Sequence, residues 1–250
     1  MRPFFERYIY SFTHLAELIF FPSYCLLCSS FLEQPKERVV CRSCWESLNF
    51  RLPSSCLCCG RFFAPEVEPH FCSQCLQNPP PFSLHLSCGE YKGKLKEIIL
   101  LFKYRGYKLL GRNLAYFADQ VLGNEKRLWW GTQVITPVPI HPRRKKERGF
   151  NQAQVLAKEL SRYERIEFIK GLIKETHSFP QAGLSMEERS KNVKGTFSVK
   201  EGALIKGKVV VLVDDVFTTG ATVKECSSVL RKAGAQEVRV ITLAQTLSFL

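Results

Sequence analysis

The stretch VVVLVDDVFTTGAT, Val209 to Thr222, decides the fold. Its first five residues are apolar and four of them are Val, the β-branched type that suits a strand buried on both faces of a parallel sheet. Asp214 and Asp215 close that run, and a loop through Val216, Phe217, Thr218, Thr219, Gly220, Ala221 and Thr222 follows. A helical pattern then continues to Ala233, where Gly234 ends it, and Val238 to Leu243 reads as the next strand. Strand, helix and strand in this order form a βαβ unit with the loop at the carboxyl end of its first strand.

Each residue type in that loop suits a sugar phosphate. Backbone N–H groups at the start of the helix, with the hydroxyls of Thr218, Thr219 and Thr222, can cradle a terminal phosphate. Gly220 lets the backbone approach without a Cβ in the way. Two carboxylates at the strand's end can face the cis-diol of a ribose, directly or through Mg²⁺. A lone Asp-Asp would read as a helix cap; the apolar run followed by Asp-Asp and Thr-Thr-Gly-x-Thr is far more specific.

Outward from this unit the same alternation holds from residue 82 onward. Leu95, Ile98, Ile99 and Phe102 recur at helical spacing, as do Leu110, Leu114, Phe117 and Val121. Val134 to Val138 reads as a strand, Asn151 to Leu160 as a helix, and Ser185 with Glu188 as a capping box opening another. The expectation is an α/β fold, a parallel sheet with flanking helices. With 250 residues, 45% hydrophobic and 24% charged, the chain can bury a core, which excludes wholesale disorder, collagen and coiled coil. The net charge of +13 is uneven: residues 1–80 hold seven basic and seven acidic side chains, so the excess lies in residues 81–250 and points to a polyanion there.

Eight of the 11 cysteines form four C-x2-C pairs, Cys25/Cys28, Cys41/Cys44, Cys56/Cys59 and Cys72/Cys75, separated by 12, 11 and 12 residues. A C-x2-C knuckle turns two thiolates to one side, and two knuckles complete the tetrahedral S4 shell of a structural zinc. Two Zn²⁺ ions are expected, with sequence order pairing the first four cysteines and the last four. Interleaved pairing would use the same eight residues, and Cys58 and His70 are alternative ligands. Four disulfides in a secreted protein are the competing reading, but no export signal is visible. Cys88 and Cys226 read as small core residues.

Pro79, Pro80 and Pro81 can neither continue a helix nor donate to a sheet. They set the expected boundary between a module over residues 1–80 and a domain over 81–250. Pro3 to Phe21 reads as an amphipathic helix docked on the body, a membrane-surface helix being the alternative. His14, Glu17 and Pro22 interrupt the apolar stretch Tyr8 to Leu27, so stable membrane insertion is not expected and the protein is read as cytoplasmic. Two stretches mix cations with rings: Lys103, Tyr104 and Arg105, and the denser loop Arg143, Arg144, Lys145, Lys146 leading to Arg148 and Phe150. Single-stranded DNA calls for that combination, since cations track phosphates and rings stack on bases. The alternative is a solvated basic face, or arginines serving a pyrophosphate loop.

VVVLVDDVFTTGAT looks like the phosphoribosyl-pyrophosphate (PRPP) motif of type I phosphoribosyltransferases. More narrowly, the chain resembles the ComF family of competence proteins, of the ComFC type, along nearly its whole length. The stretches that carry the resemblance are the Cys-pair module, YKGKLKEIILLFKYRG (Tyr91 to Gly106), PVPIHPRRKKERGFNQ (Pro137 to Gln152), and Gln181 to Phe197 with Leu184, Arg189 and Asn192. The resemblance implies a type I phosphoribosyltransferase-like sheet preceded by a double zinc ribbon. It implies that Asp214 and Asp215 contact ribose hydroxyls and a metal, Mg²⁺ with PRPP. Thr218, Thr219, Gly220, Ala221 and Thr222 would form the 5′-phosphate loop. The Pro137-Val138-Pro139 turn would lie on the pyrophosphate side, with Arg143, Arg144 and Arg148 in a mobile basic segment nearby. It also implies a cytoplasmic factor that handles single-stranded DNA in natural transformation. The alternatives are an active phosphoribosyltransferase on an unidentified acceptor and a zinc-ribbon adaptor for a DNA-uptake helicase.

Overall fold

The computed structural model describes residues 23–32, 39–48, 54–104, 106–175, 193–201 and 203–246. The helix expected over Pro3 to Phe21, Arg105, and the capping box expected at Ser185 and Glu188 lie outside the described residues. The chain divides into two compact units, Met1–Asn49 and Phe50–Leu250. Among the described residues no helix is long and apolar enough to cross a membrane.

In the larger unit, five parallel strands form one sheet in the order β1-β7-β6-β2-β3: β1 Leu84–Ser87, β2 Val134–Pro137, β3 Glu167–Phe168, β6 Val209–Phe217 and β7 Glu237–Gln245. The valine-rich strand β6 sits inside the sheet, paired with β2 and β7, so both faces must be apolar. Val210, Val211, Leu212 and Val213 are accordingly buried. Each such side chain contributes roughly 1.5–3 kcal/mol of burial. A separate antiparallel pair, β4 Leu172–Lys174 with β5 Phe197–Val199, stands outside the sheet.

Two short helices belong to the cysteine ribbons, α1 Arg42–Glu46 and α2 Ser73–Gln77. The others in the larger unit are α3 Gly93–Tyr104, α4 Leu110–Leu122, α5 Lys126–Trp129, α6 Pro142–Arg148, α7 Gln152–Tyr163 and α8 Ala221–Lys232. The expected periodic residues are the ones that turn inward: Leu95, Ile98, Ile99 and Phe102 on α3, and Leu110, Leu114, Phe117 and Val121 on α4. Helix α7 packs on β2 and β6 with α4 over it, and α8 packs on β5, β6 and β7.

Two elements differ from expectation. Strand β6 runs on to Phe217, because Asp214 pairs with Thr242, Val216 with Ala244 and Phe217 with Gln245. The acid pair therefore stands on a hydrogen-bonded strand and the loop begins only at Thr218. The basic segment Arg143 to Arg148 is a helix rather than a loop. Pro142 occupies its first turn, the His141 ring accepts the Arg143 amide at 3.2 Å, and Gly149 ends it with φ +78°.

The compact units also part earlier than the prolines suggest, because the second cysteine ribbon is seated on the sheet. The amide of His85 donates to Cys58 O at 2.7 Å, and the Gln245 side chain donates to Gly60 O at 2.5 Å.

Candidate functional site

The residues singled out by sequence converge at the carboxyl ends of β2 and β6. A cavity of about 820 Å³ there is lined by Asp214, Asp215, Thr218 and Thr222, by Val138 and Pro139, and by Arg144, Lys146 and Arg148. Ligands of open α/β sheets bind at this end of the strands. Gly220 adopts φ +74° at the start of α8, and a Cβ there would lie 2.4 Å from the Phe217 ring, so only glycine closes the turn. Thr219 Oγ1 accepts the Ala221 amide at 3.4 Å. Among the described residues, the amides of Thr218, Thr219 and Gly220 donate to no protein acceptor. They stand at the positive end of the α8 dipole, an arrangement suited to a phosphate.

The acid pair is embedded among cations. Lys103 Nζ lies 2.7 Å from Asp215 Oδ1, with both side chains 13% exposed, and the Asp215 amide donates to Asp214 Oδ1 at 2.9 Å. Desolvation and the adjacent Asp215 charge push Asp214 up to about 7. Burial alone would depress Lys103, but the charge and hydrogen bond of Asp215 outweigh it and hold the ammonium above the usual lysine range. Lys174 on β4 also reaches the cavity, where burial and then Arg144 pull its ammonium down. Five cations, Lys103, Arg144, Lys146, Arg148 and Lys174, line the cavity against three acids, Asp214, Asp215 and Glu147. The balance favours an anionic ligand.

The run from Arg148 to Gln152 works as wiring. Arg148 lies over the Tyr104 ring at 5.1 Å, and Phe150 packs on Phe102 with centroids 5.3 Å apart. The Asn151 side chain donates to Val138 O at 3.0 Å, and that of Gln152 to Lys103 O at 3.4 Å. One short segment thus ties the end of α3 to the Pro137-Val138-Pro139 turn, whose Val138 amide also bonds Val213 O at 2.9 Å.

Not every predicted residue reaches the cavity. Arg143 pairs with Glu147 at 3.4 Å on an exposed face, and neither Arg143 nor Lys145 lines the cavity. Lys103, read from sequence with the DNA-facing cations, is almost buried against Asp215. Lys174, Tyr91, His141 and Asn151 line the cavity without having been assigned a role from sequence; Tyr91, His141 and Asn151 lie in the stretches that carry the family resemblance, whereas Lys174 lies in none.

The cysteines form two tetrads, Cys25, Cys28, Cys41, Cys44 and Cys56, Cys59, Cys72, Cys75, with all sulfurs of each within 4.8 Å of one another. A tetrahedral ZnS4 centre with Zn–S near 2.3 Å needs sulfurs roughly 3.8 Å apart. The Sγ–Sγ separations are 3.6 Å for Cys28 to Cys41, 3.9 Å for Cys25 to Cys44 and 3.7 Å for Cys59 to Cys72. The residues present fit two structural zinc ions, which would crosslink each ribbon. Cys58 instead points its thiol at Phe82 O, and His70 stacks on Phe63. The acid pair suits Mg²⁺ less well. A hard divalent ion needs carboxylate oxygens and waters, whereas one oxygen here is held by the Lys103 ammonium and another by a backbone amide.

His85 joins the second ribbon to the phosphate loop. Its Nδ1 bonds Cys59 O at 2.8 Å, its Nε2 bonds Thr242 Oγ1 at 2.9 Å, and its ring stacks on Phe217 at 4.2 Å. Because a carbonyl can only accept, Nδ1 carries the proton and Nε2 accepts from the Thr242 hydroxyl. Burial holds the ring down at about 4, so it stays neutral.

A parallel sheet with this order, an acid pair at the end of an inner strand and a Thr-Gly turn opening a helix define a type I phosphoribosyltransferase-like domain, here joined to a double zinc ribbon. Comparison with known families agrees: the phosphoribosyl transferase domain matches residues 146–248 and the double zinc ribbon domain residues 17–76. Competence protein F of Haemophilus influenzae is 35% identical over 181 residues, covering 70% of this chain and 78% of that protein. DNA utilization protein YhgH of Escherichia coli is 32% identical over 180 residues, with the same coverage of 70% and 78%. Among solved structures, the glutamine PRPP amidotransferase from B. subtilis is 26% identical, with a TM-score of 0.34; the match covers 56% of this chain and 26% of that one. The chain belongs to the ComF family of competence proteins.

Proposed function

We propose that this chain is a cytoplasmic DNA-handling protein of natural transformation whose α/β unit holds a phosphorylated pentose of the PRPP kind. The convergence of Asp214, Asp215, Thr218 and Thr222 on one cation-rich cavity carries the sugar-phosphate half of this reading. Asp214 and Asp215 accept hydrogen bonds from the ribose hydroxyls. The amides from Thr218 to Gly220, with the hydroxyls of Thr218 and Thr222, take the 5′-phosphate. Pro139, Arg144 and Arg148 face the diphosphate end, where any Mg²⁺ would arrive with the ligand.

The DNA half rests on family membership, since relatives are named for competence and DNA utilization. It is supported by Tyr104, 66% exposed beside Arg148, and by the cations of α6. Fluorescence anisotropy with a labelled single-stranded oligonucleotide tests it. Affinity is expected to fall steeply with salt, and Arg143→Ala with Lys145→Ala, both off the cavity, should weaken it by roughly threefold to tenfold. Salt-independent or absent binding sinks the DNA reading and leaves the sugar-phosphate reading standing.

A second reading, transferase turnover, is favoured by a cavity large enough for a pentose diphosphate and an acceptor. An acceptor nucleophile would bond to the anomeric carbon as pyrophosphate leaves, and pyrophosphate release across a panel of bases and amines tests it. The adaptor reading is supported by exposed apolar side chains on the ribbons, Tyr24 and Phe31 on the first and Phe71 and Leu76 on the second. Capture of a DNA-uptake helicase that persists without residues 1–80 would end it.

A further inference from the structure

We propose that Lys103 is a built-in counter-ion of the Asp214–Asp215 pair, so that the cavity takes a phosphorylated pentose without a divalent cation on those carboxylates. This deepens the sugar-phosphate reading and rests on it.

The geometry begins with an ion pair nearly closed to water: 2.7 Å between Lys103 Nζ and Asp215 Oδ1, with 13% exposure on each side. Asp214 Oδ1 is already an acceptor for the Asp215 amide. Lys174 comes to the same cavity from β4, its charge felt by Asp214. The two carboxylates thus share the cavity with two ammonium groups, one of them in direct contact with Asp215.

Lys103 is held in place rather than swung in from the surface. Its carbonyl accepts from Gln152, and the preceding Phe102 is fully buried against Phe150. A lysine anchored at the end of a packed helix keeps its ammonium over the acid pair at little further entropic cost.

Electrostatics say what such a pair is for. Two bare adjacent carboxylates would repel a phosphate dianion and would attract a hard divalent cation. With an ammonium beside them the repulsion is cancelled, the cation is disfavoured, and the remaining lone pairs still accept from sugar hydroxyls. The upward directions of Lys103 and Asp214 fit the same picture, an ammonium kept charged by Asp215 beside an acid that burial and its neighbour's charge raise to about 7.

The test is calorimetric titration of the full-length, zinc-loaded protein with ribose 5-phosphate. One buffer is stripped of divalent ions by chelating resin, sparing the structural zinc, and the other contains millimolar MgCl2. Wild-type affinity should agree within about twofold between the two. Lys103→Met should weaken binding about tenfold or more in the magnesium-free buffer, with zinc content and melting temperature checked alongside. Lys103→Arg, which keeps the charge, should stay near wild type and serves if the Met variant does not fold. Wild-type binding that tightens tenfold with magnesium overturns the proposal and leaves the sugar-phosphate site intact. So does a folded Lys103→Met that binds like wild type without magnesium. Absence of wild-type binding in both buffers overturns the sugar-phosphate reading, and this proposal with it.

Discussion

At the tip of the first ribbon stands Ser29 with φ +59°; at the matching place in the second, Gly60 adopts φ +65°. The two ribbons otherwise follow one plan, each position of the first recurring 31 residues later, as Cys25 does in Cys56. The bridge Tyr24↔Phe31 reappears as Ser55↔Phe62, and the bond from the Cys41 amide to Cys25 Sγ as that from Cys72 to Cys56 Sγ. The tips differ because their surroundings do. A Cβ on Gly60 would lie 2.3 Å from His85 O, backbone that cannot yield, while Ser29 carries its side chain in the same left-handed turn. One sequence plan thus supplies a ribbon within its own compact unit and another built into the sheet that carries the site.

The largest effect should come from unmaking one ribbon at a time. Cys56→Ser with Cys59→Ser should remove one zinc, lower the melting temperature of the larger unit and abolish ribose 5-phosphate binding; structural zinc sites contribute on the order of 10 kcal/mol to small modules. Cys25→Ser with Cys28→Ser should also cost one zinc but spare that binding. Equal losses from both pairs, read by metal analysis, thermal melts and titration, would break the contrast.

A gentler version exchanges the tips. Gly60→Ser should cost about 2–4 kcal/mol in denaturant melts, combining left-handed strain with a backbone collision. Ser29→Gly should change stability by less than about 1 kcal/mol, toward the stable side. Next comes the joint itself. His85→Ala removes two hydrogen bonds and the Phe217 stack, and should cost about 3 kcal/mol with weaker sugar-phosphate binding. His85→Asn, which can still donate to Cys59 O, should recover part of both.

The smallest expected effect separates this joint from the site it supports. Asp214, raised from 3.8 to about 7 in the folded state, withdraws stability as pH climbs through that interval. Asp214→Asn should therefore melt about 2 °C above wild type at pH 8 and show little gain at pH 4, while losing sugar-phosphate binding. A variant of the second ribbon or of His85 should lose both stability and binding. A lower melting temperature for Asp214→Asn at pH 8 would count against the raised acid.

What was legible in the sequence is what local chemistry dictates. The valine run, the 3.6-residue spacing on α3 and α4, and the Cys spacing each state their outcome within a few residues. Strand β1 was not legible, because His85 and Ser87 break its apolar pattern. Burying that imidazole makes sense only once Cys59 and Thr242 arrive from distant parts of the chain. Lys103 misled for the same reason: basic and aromatic neighbours suggested an open surface, while its partner Asp215 lies 112 positions away. Helix α6 did announce itself, through Pro142 at its start and Gly149 at its end, but the density of charge invited the reading of a loop.

The sheet order has a consequence for synthesis. Strand β1 pairs with β7, the last strand described, so the hydroxyl that donates to His85 Nε2 is made 157 residues after the histidine. At 5–20 residues per second the ribosome takes roughly 8–30 s to bridge that interval. The second ribbon can capture its metal as soon as Cys75 emerges, yet the floor it will rest on is not there. Its own knuckle bonds and the ion must hold it through that wait, and the nascent chain is therefore most sensitive to zinc supply before the sheet closes.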